Sequence, residues 1–347
     1  MAEPSAGRAW KGADRYLEDT GLNITATAGS IAAYRAAVSL VNQSFIDDPY
    51  AALFARDTCP SKLEETVKLE PPKLARIAVR TKFFDKLIFE AVHELGIKQV
   101  VLIGAGFDAR ALRGRDFRWA EVPPSTPREL MDGQRLTIWE LDLPEIINKK
   151  NSILRRAGMD SHMARSMKLP LTFRIGVDVM VEDWMSVLKR YGFQSQYPSC
   201  FLLEGFLYYF VEDDVQRIMT QISNVTAPGS RIGLSAVSAA AATNGSRWQW
   251  GTDSPARFLE TWGWTDVAEQ ELGNPEIAEG WDLSYVSPNG TSPRDDFNVK
   301  RTWYVTAKKP LPPAKAHEKM KNKILEFWEK ARPWALKVAA ILGVGRT

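Results

Sequence analysis

Apolar residues fall along this chain in two rhythms. From Ile24 to Phe54, and again from Pro72 to Leu95, they recur at helical spacing; beyond Lys98 they gather into short unbroken runs separated by amphipathic stretches. The first segment, ITATAGSIAAYRAAVSLVNQSFIDDPYAALFA, is rich in alanine and predicts two helices broken at Asp47-Asp48-Pro49. In the second, Leu74, Ile77, Val79, Phe84, Leu87, Ile88 and Ala91 mark helical spacing, Pro72 suits a first turn, and Gly96 a stop. Strands are predicted at 99–103, 136–141, 171–175, 199–203 and 230–237, with helices at about 108–113, 144–157, 182–191 and 213–225 between them. That alternation demands a mostly parallel sheet with helices on both faces. A last strand, 299–307 (VKRTWYVTA), follows the irregular stretch 265–298 and is expected to close the sheet antiparallel.

No internal repeat is found. The organisation that follows is a loose polar arm at 1–22, a helical cap with lead-in helices at 23–96, and an α/β domain at 97–310 with a lid insertion around 239–298. A basic amphipathic tail occupies 311–347, with Met320, Ile324, Phe327, Trp328 and Ala331 on one helical face, lysines beside them, and Pro333 as a break. It suits a membrane surface, a subunit contact or packing on its own domain. Residues 114–134, with Pro123, Pro124 and Pro127, form an excursion between the first helix of the α/β domain and its second strand. The chain is 45% apolar and 25% charged, an ordinary globular composition, and its net charge of +3 gives no reason to expect a nucleic-acid partner. Cys59 and Cys200, the only cysteines, are far apart and point to reduced thiols in a cytoplasmic protein, with Cys200 filling a core. No run approaches the ~20 apolar residues of a spanning helix, and Met1 to Asp14 lacks a signal core.

The chemistry concentrates in VVLIGAGFDARAL, residues 100–112. A buried strand stops at Gly104-Ala105-Gly106, whose glycines let a ligand approach the backbone, and a helix opening near Asp108 would offer unpaired N–H groups. The Asp108 carboxylate would repel a pyrophosphate but suits a cationic or neutral nucleoside. In a parallel sheet, ligands bind beyond the carboxyl ends of the strands. Asp142, Asp178 and Glu204 end or follow the second, third and fourth strands. One such acid can take both ribose hydroxyls, another an adenine amine, and the rest can face a cationic amino-acid moiety.

These residues resemble the leucine carboxyl methyltransferase family, S-adenosylmethionine-dependent enzymes that include protein phosphatase methyltransferases and bacterial polyketide O-methyltransferases. The resemblance runs from Thr25 to Lys308 on TA…AAYRA with DDPYA (25–51), AVRTKFFD (78–85), LIGAGFDAR (102–110), WELDLP (139–144), GVD (176–178) and LLEGFLYYF (202–210). It implies a Rossmann-like methyltransferase fold and S-adenosyl-L-methionine as cofactor. Arg80 would pair with the methionine carboxylate, with Arg35 as a further basic residue near it. Gly104, Ala105 and Gly106 would line the cofactor, Asp142 hold its ribose, Asp178 and Val179 bracket its adenine, and Glu204 meet its amine. The excursion at 114–134 and the tail are longer than the family pattern and bear on substrate and assembly, not on the cofactor.

Several residues carry plainer readings. GAGFDA also fits a dinucleotide loop, but a dehydrogenase wants its ribose acid roughly 20 residues on, which lands near Glu121 in the excursion. Asp142 could cap the helix that Pro144 begins, Arg80 could make a structural ion pair, and Asp85 is simplest as a surface or helix-pairing acid. Glu204 is expected to be poorly satisfied without cofactor. His93 and His317 are expected in solvent, while His162 and Tyr208 are the candidates for a catalytic role; Tyr208 and Tyr209 could equally be packing. Trp248, Trp250, Trp262, Trp264 and Trp281 are expected to gather around an apolar or planar acceptor. No metal-ligand spacing or Ser-His-Asp arrangement is found. A small-molecule carboxylate needs no general base and suits the scarcity of histidine (three in all). A phenol, a protein carboxyl terminus, a dehydrogenase and a cofactor-binding regulator without catalysis stay open as alternatives.

Overall fold

The computed structural model describes residues 23–122, 135–159, 167–242, 247–284 and 300–312. The chain divides at Lys309 into a helix-and-sheet unit and a separate unit, 310–347. The arm, the tail beyond residue 312 and His317 lie outside the described residues.

The Ala-rich start folds as one long helix, α1 (Ile24–Val41), capped by Asn23 accepting the Ala26 N–H at 2.8 Å. It has the length and mean hydropathy of a membrane span, yet Ala32, Ala33, Ala37 and Val38 are buried in the domain core. After the predicted break come α2 (Ala51–Thr58), α3 (Pro60–Thr66) and α4 (Pro71–Phe89), which runs into a π-helical turn, Glu90–Glu94. Proline opens α3 and α4, where its missing N–H costs nothing.

The strands are β1 (Gln99–Ile103), β2 (Thr137–Asp142), β3 (Leu171–Gly176), β4 (Ser199–Leu203), β5 (Arg231–Val237), β6 (Thr265–Glu271) and β7 (Thr302–Lys308). Among them lie α5 (Gly114–Phe117), α6 (Pro144–Arg156), α7 (Trp184–Arg190), α8 (Glu212–Val225), α9 (Pro255–Thr261) and α10 (Pro275–Ala278). The sheet order is β3-β2-β1-β4-β5-β7-β6, with β7 antiparallel to both neighbours and the rest parallel. Alternation along β1 sends Val100 and Leu102 into one core, with α1, α2, α4 and α6, and Val101 and Ile103 into the other, with α7, α8 and α9. The unbroken apolar runs of β1 and β4 are thus buried on both faces, as central strands of a parallel sheet require, whereas β3 at one edge is mostly half-buried.

Four expectations change. The stretch 265–298 is not wholly irregular: its TDVAEQE segment is β6, the sheet edge, whose polar and mostly half-exposed residues hide it from a hydrophobic reading. The span 239–298, expected as a lid insertion, therefore contributes a strand and α9 to the domain. The helix expected from Asp108 is a turn followed by a single 3₁₀ turn, Arg110–Leu112, because Asp108 Oδ1 accepts the Arg110 N–H at 2.7 Å and tightens the chain. In the described part of the excursion, Phe117 and Trp119 are buried, and His93 is not in free solvent. Its Nε2 meets the Phe117 carbonyl at 2.8 Å and its ring stacks 4.3 Å from Phe89.

Candidate functional site

The carboxyl ends of β1, β2, β3 and β4 converge on a cavity of about 180 Å³, roofed by Ile24, Thr27, Ala28 and Ile31 of α1. This is the switch point of the sheet, where β1 has neighbours running out in opposite directions.

The loop after β1 forms its floor. Gly104 and Gly106 sit at φ of +69° and +49°, a region that penalises a Cβ. At Gly104 the space of the missing Cβ is taken by the Phe206 ring. The loop is pinned as well: the Gly104 and Ala105 N–H groups donate to the Leu141 carbonyl at 2.9 and 3.0 Å. The cavity here is lined by Gly104, Ala105, Gly106 and Asp108.

Asp142 ends β2 and faces this loop. Its Oδ2 accepts the Gly106 N–H at 2.6 Å and its Oδ1 the Leu143 N–H at 2.8 Å. It is not the cap of α6, whose N-cap is Leu143 with no side-chain capping bond. Burial pushes its pKa up to about 6, against the pull of the two N–H donors. Asp178 follows β3, and its Oδ1 accepts the Met180 N–H at 2.8 Å. Val179 and Met180 beside it are buried and line the cavity wall.

The fourth strand leads to the most heavily charged part. Glu204 Oε1 accepts the Arg80 Nε–H at 2.7 Å, and its Oε2 lies 2.7 Å from Arg110 Nη2. Glu204 is therefore held by two buried guanidiniums, which corrects the expectation that it waits poorly satisfied. Arg80 lines the cavity with its Nε already committed to Glu204. Burial opposes its charge, but Glu204 outweighs that and raises its pKa. Asp85 is no surface acid: it is buried on α4 and accepts from Arg110 and Arg113, each at 2.7 Å. Asp108 is buried too and bound by Arg110, whose charge, with those of Arg35 and Lys150, outweighs desolvation and lowers its pKa. Arg35 ties α1 to the loop, donating through Nε to Asp48 at 3.0 Å and through Nη2 to the Phe107 carbonyl.

Tyr208, in a 3₁₀ turn (Leu207–Tyr209), lines the cavity but is itself buried, and that burial raises its phenol pKa. Trp248 packs 5.4 Å from it, and at the mouth Arg247 donates to Thr27 Oγ1 (3.3 Å) and Tyr209 Oη (3.2 Å). The tryptophans do not gather. Trp250 and Trp264 belong to one core, with Trp262 packed against it, and Trp281 to the other, where it meets Phe45 at 4.8 Å. His162 lies outside the described residues.

Arg110, Asp85 and Arg247 escaped the sequence reading as parts of the site. Arg110 alone had a signal, a charge set among Ala109, Ala111 and Leu112 just after the glycine loop. Glu121, where a dehydrogenase would want its ribose acid, is exposed, bound to Arg118 and not part of the cavity lining. Among the described residues no group of His, Cys, Asp or Glu could hold a metal ion.

Residues 28–223 match the leucine carboxyl methyltransferase family. A Mycobacterium marinum protein is 30% identical over 68% of this chain and 74% of its own length. A Streptomyces coelicolor protein is 32% identical over 81% of this chain and 96% of its own. Both carry the name "Putative S-adenosyl-L-methionine-dependent methyltransferase". Among solved structures, a DUF574 family protein from Streptomyces avermitilis has 13% identity and a TM-score of 0.45, covering 79% of this chain and 97% of that one. The fold is that of a Rossmann-like methyltransferase. The chain belongs to the leucine carboxyl methyltransferase family, whose cofactor is S-adenosylmethionine.

Proposed function

We propose that this chain transfers the methyl group of S-adenosylmethionine to an oxygen of a small-molecule carboxylate. The residues present suit the cofactor. Each Asp142 oxygen has spent one lone pair on a backbone N–H, which leaves capacity for the two ribose hydroxyls. Asp178, Val179 and Met180 form the wall at the adenine end, and Glu204 with Arg80 offers an anion and a cation to the amino-acid end. Bound there, the cofactor supplies an electrophilic methyl group on a sulfonium.

The observation that carries the choice of acceptor is the absence of an available base among the described residues. All four carboxylates lining the cavity already accept hydrogen bonds or ion pairs from the protein: Asp108, Asp142, Asp178 and Glu204. Tyr208 is held in its neutral form by burial, and no histidine is among the lining residues. A carboxylate arrives ionised at neutral pH and needs no proton removed. Alignment and exclusion of water then suffice for an in-line displacement. The roof of α1 and the aromatic Phe206–Phe210 segment supply the dry walls, and Arg247 at the mouth offers a cation to an incoming anion.

The test uses methyl-labelled S-adenosylmethionine with a pool of small carboxylic acids. Label that alkali releases as volatile methanol is expected, because esters hydrolyse. Label that resists alkali would identify an ether or amine product and reject the carboxylate reading.

A further inference from the structure

The amino-acid end of the site hangs on one buried guanidinium. Arg110 has a side chain only 3% exposed. Its Nε donates to Asp85 Oδ1 at 2.7 Å, its Nη1 to Asp108, and its Nη2 lies 2.7 Å from Glu204 Oε2. Asp85 comes from α4, Asp108 from the loop after β1, and Glu204 from the end of β4, so one side chain ties three separate elements together. We propose that Arg110, itself held by Asp85, is the positioning residue that fixes Glu204 and Asp108 for the ammonium of the cofactor. This rests on the cofactor site proposed above.

The geometry of the clamp supports that role. Glu204 offers one oxygen to Arg80 and the other to Arg110, so its plane is set by two guanidiniums rather than by its own rotamer. Asp108 is fixed twice by the same residue, through the Arg110 backbone N–H at 2.7 Å and through its guanidinium. A lysine could not do this, since a single ammonium on a flexible stem cannot span three carboxylates held apart by the fold.

Charge balance points the same way. From the cavity inward the charges alternate: Arg80, Glu204, Arg110, then Asp108 and Asp85, then Arg113 and Asp116. Three guanidiniums serve four carboxylates in this chain. It is one cation short, and an ammonium meeting Glu204 and Asp108 would supply that cation at the cavity end. Beside this chain of contacts Arg35 is paired with Asp48, while Lys150 and Arg174 share Glu140, so the shortfall is that of the directly bonded groups alone. Asp85 is outside the cavity lining, so whatever it contributes to binding must pass through Arg110 and Arg113.

Calorimetry with two probes separates positioning from mere folding. S-adenosylhomocysteine carries both the nucleoside and the amino-acid end, whereas 5′-methylthioadenosine carries the nucleoside alone. Arg110→Lys should weaken S-adenosylhomocysteine by at least about tenfold while 5′-methylthioadenosine stays within about twofold, as expected for loss of charge-assisted contacts at one end only. Asp85→Asn keeps the guanidinium and should give about a threefold loss, again confined to S-adenosylhomocysteine, which keeps the proposal testable if Arg110→Lys does not fold. Equal weakening of both probes would show that Arg110 only holds the loop, and unchanged S-adenosylhomocysteine binding in Asp85→Asn would remove Asp85 from the proposal; either overturns it. Failure of the wild-type chain to bind either probe would count against the cofactor site instead, a separate result.

Discussion

The two ends of the cavity are built from different materials. At the strand ends, carboxylates and guanidiniums are buried together, and every lining acid has its partners in place before any ligand arrives. At the mouth, α1 and the Phe206–Phe210 segment present aliphatic and aromatic walls, with the exposed Arg247 resting on two hydroxyls. The first end is prepaid: its polar groups are oriented by the sheet, and a cofactor has only to add its own donors. The second is a surface against which an apolar body can lie. A methyl transfer that needs alignment and dryness, and no proton, fits that division.

The largest expected effect comes from breaking the charged end. Glu204→Gln leaves Arg80 and Arg110 underpaired in a buried setting, so the protein should lose about 2–4 kcal/mol of stability, and S-adenosylhomocysteine affinity should fall by more than about tenfold. Chemical denaturation and calorimetry read the two losses separately. An unchanged midpoint would mean the two arginines do not need Glu204. Next comes the ribose position: Asp142→Ala should cost about 1.5–3 kcal/mol of cofactor affinity and Asp142→Asn less, since an amide oxygen still accepts one bond.

That second site also titrates. Burial raises the Asp142 pKa from 3.8 to about 6, so protonation favours the ligand-free fold. Its contribution to stability is full below the unfolded value and is lost as pH rises through the folded one. Cofactor binding runs the other way, because the ribose hydroxyls need acceptors. S-adenosylhomocysteine affinity should fall about tenfold between pH 7 and pH 5 in wild type and hardly change in Asp142→Asn, as calorimetry across that range would show. The smallest effect lies at the mouth. Arg247→Gln should leave cofactor affinity within about twofold and raise the acceptor KM about threefold, the size expected for an exposed charged contact.

The same contrast governs what the chain betrayed of itself. β1 and β4 are legible because burial on both faces leaves unbroken apolar runs, α4 because its apolar positions keep helical spacing, and Asp142, Asp178 and Glu204 stand out as acids at or just beyond strand ends. β6 is not, since an edge strand facing solvent reads TDVAEQE and looks like a loop. Asp85 was misread for a related reason. A charge within a helix is ordinarily solvated, and only the tertiary arrival of Arg110 and Arg113 turns it into a buried partner. Tryptophan density in the sequence likewise carried no information about which of two cores each ring would enter.

The division between a prepaid charged end and a dry acceptor end makes one kinetic claim above all: nothing in the site takes a proton from the acceptor. With cofactor and a carboxylate acceptor both saturating, kcat measured from about pH 7 to pH 9 should be flat, because the acceptor is already ionised and Asp142 is above its own pKa near 6. A kcat rising about tenfold per pH unit across that range would report a general base or an acceptor hydroxyl losing its proton, and would contradict the account.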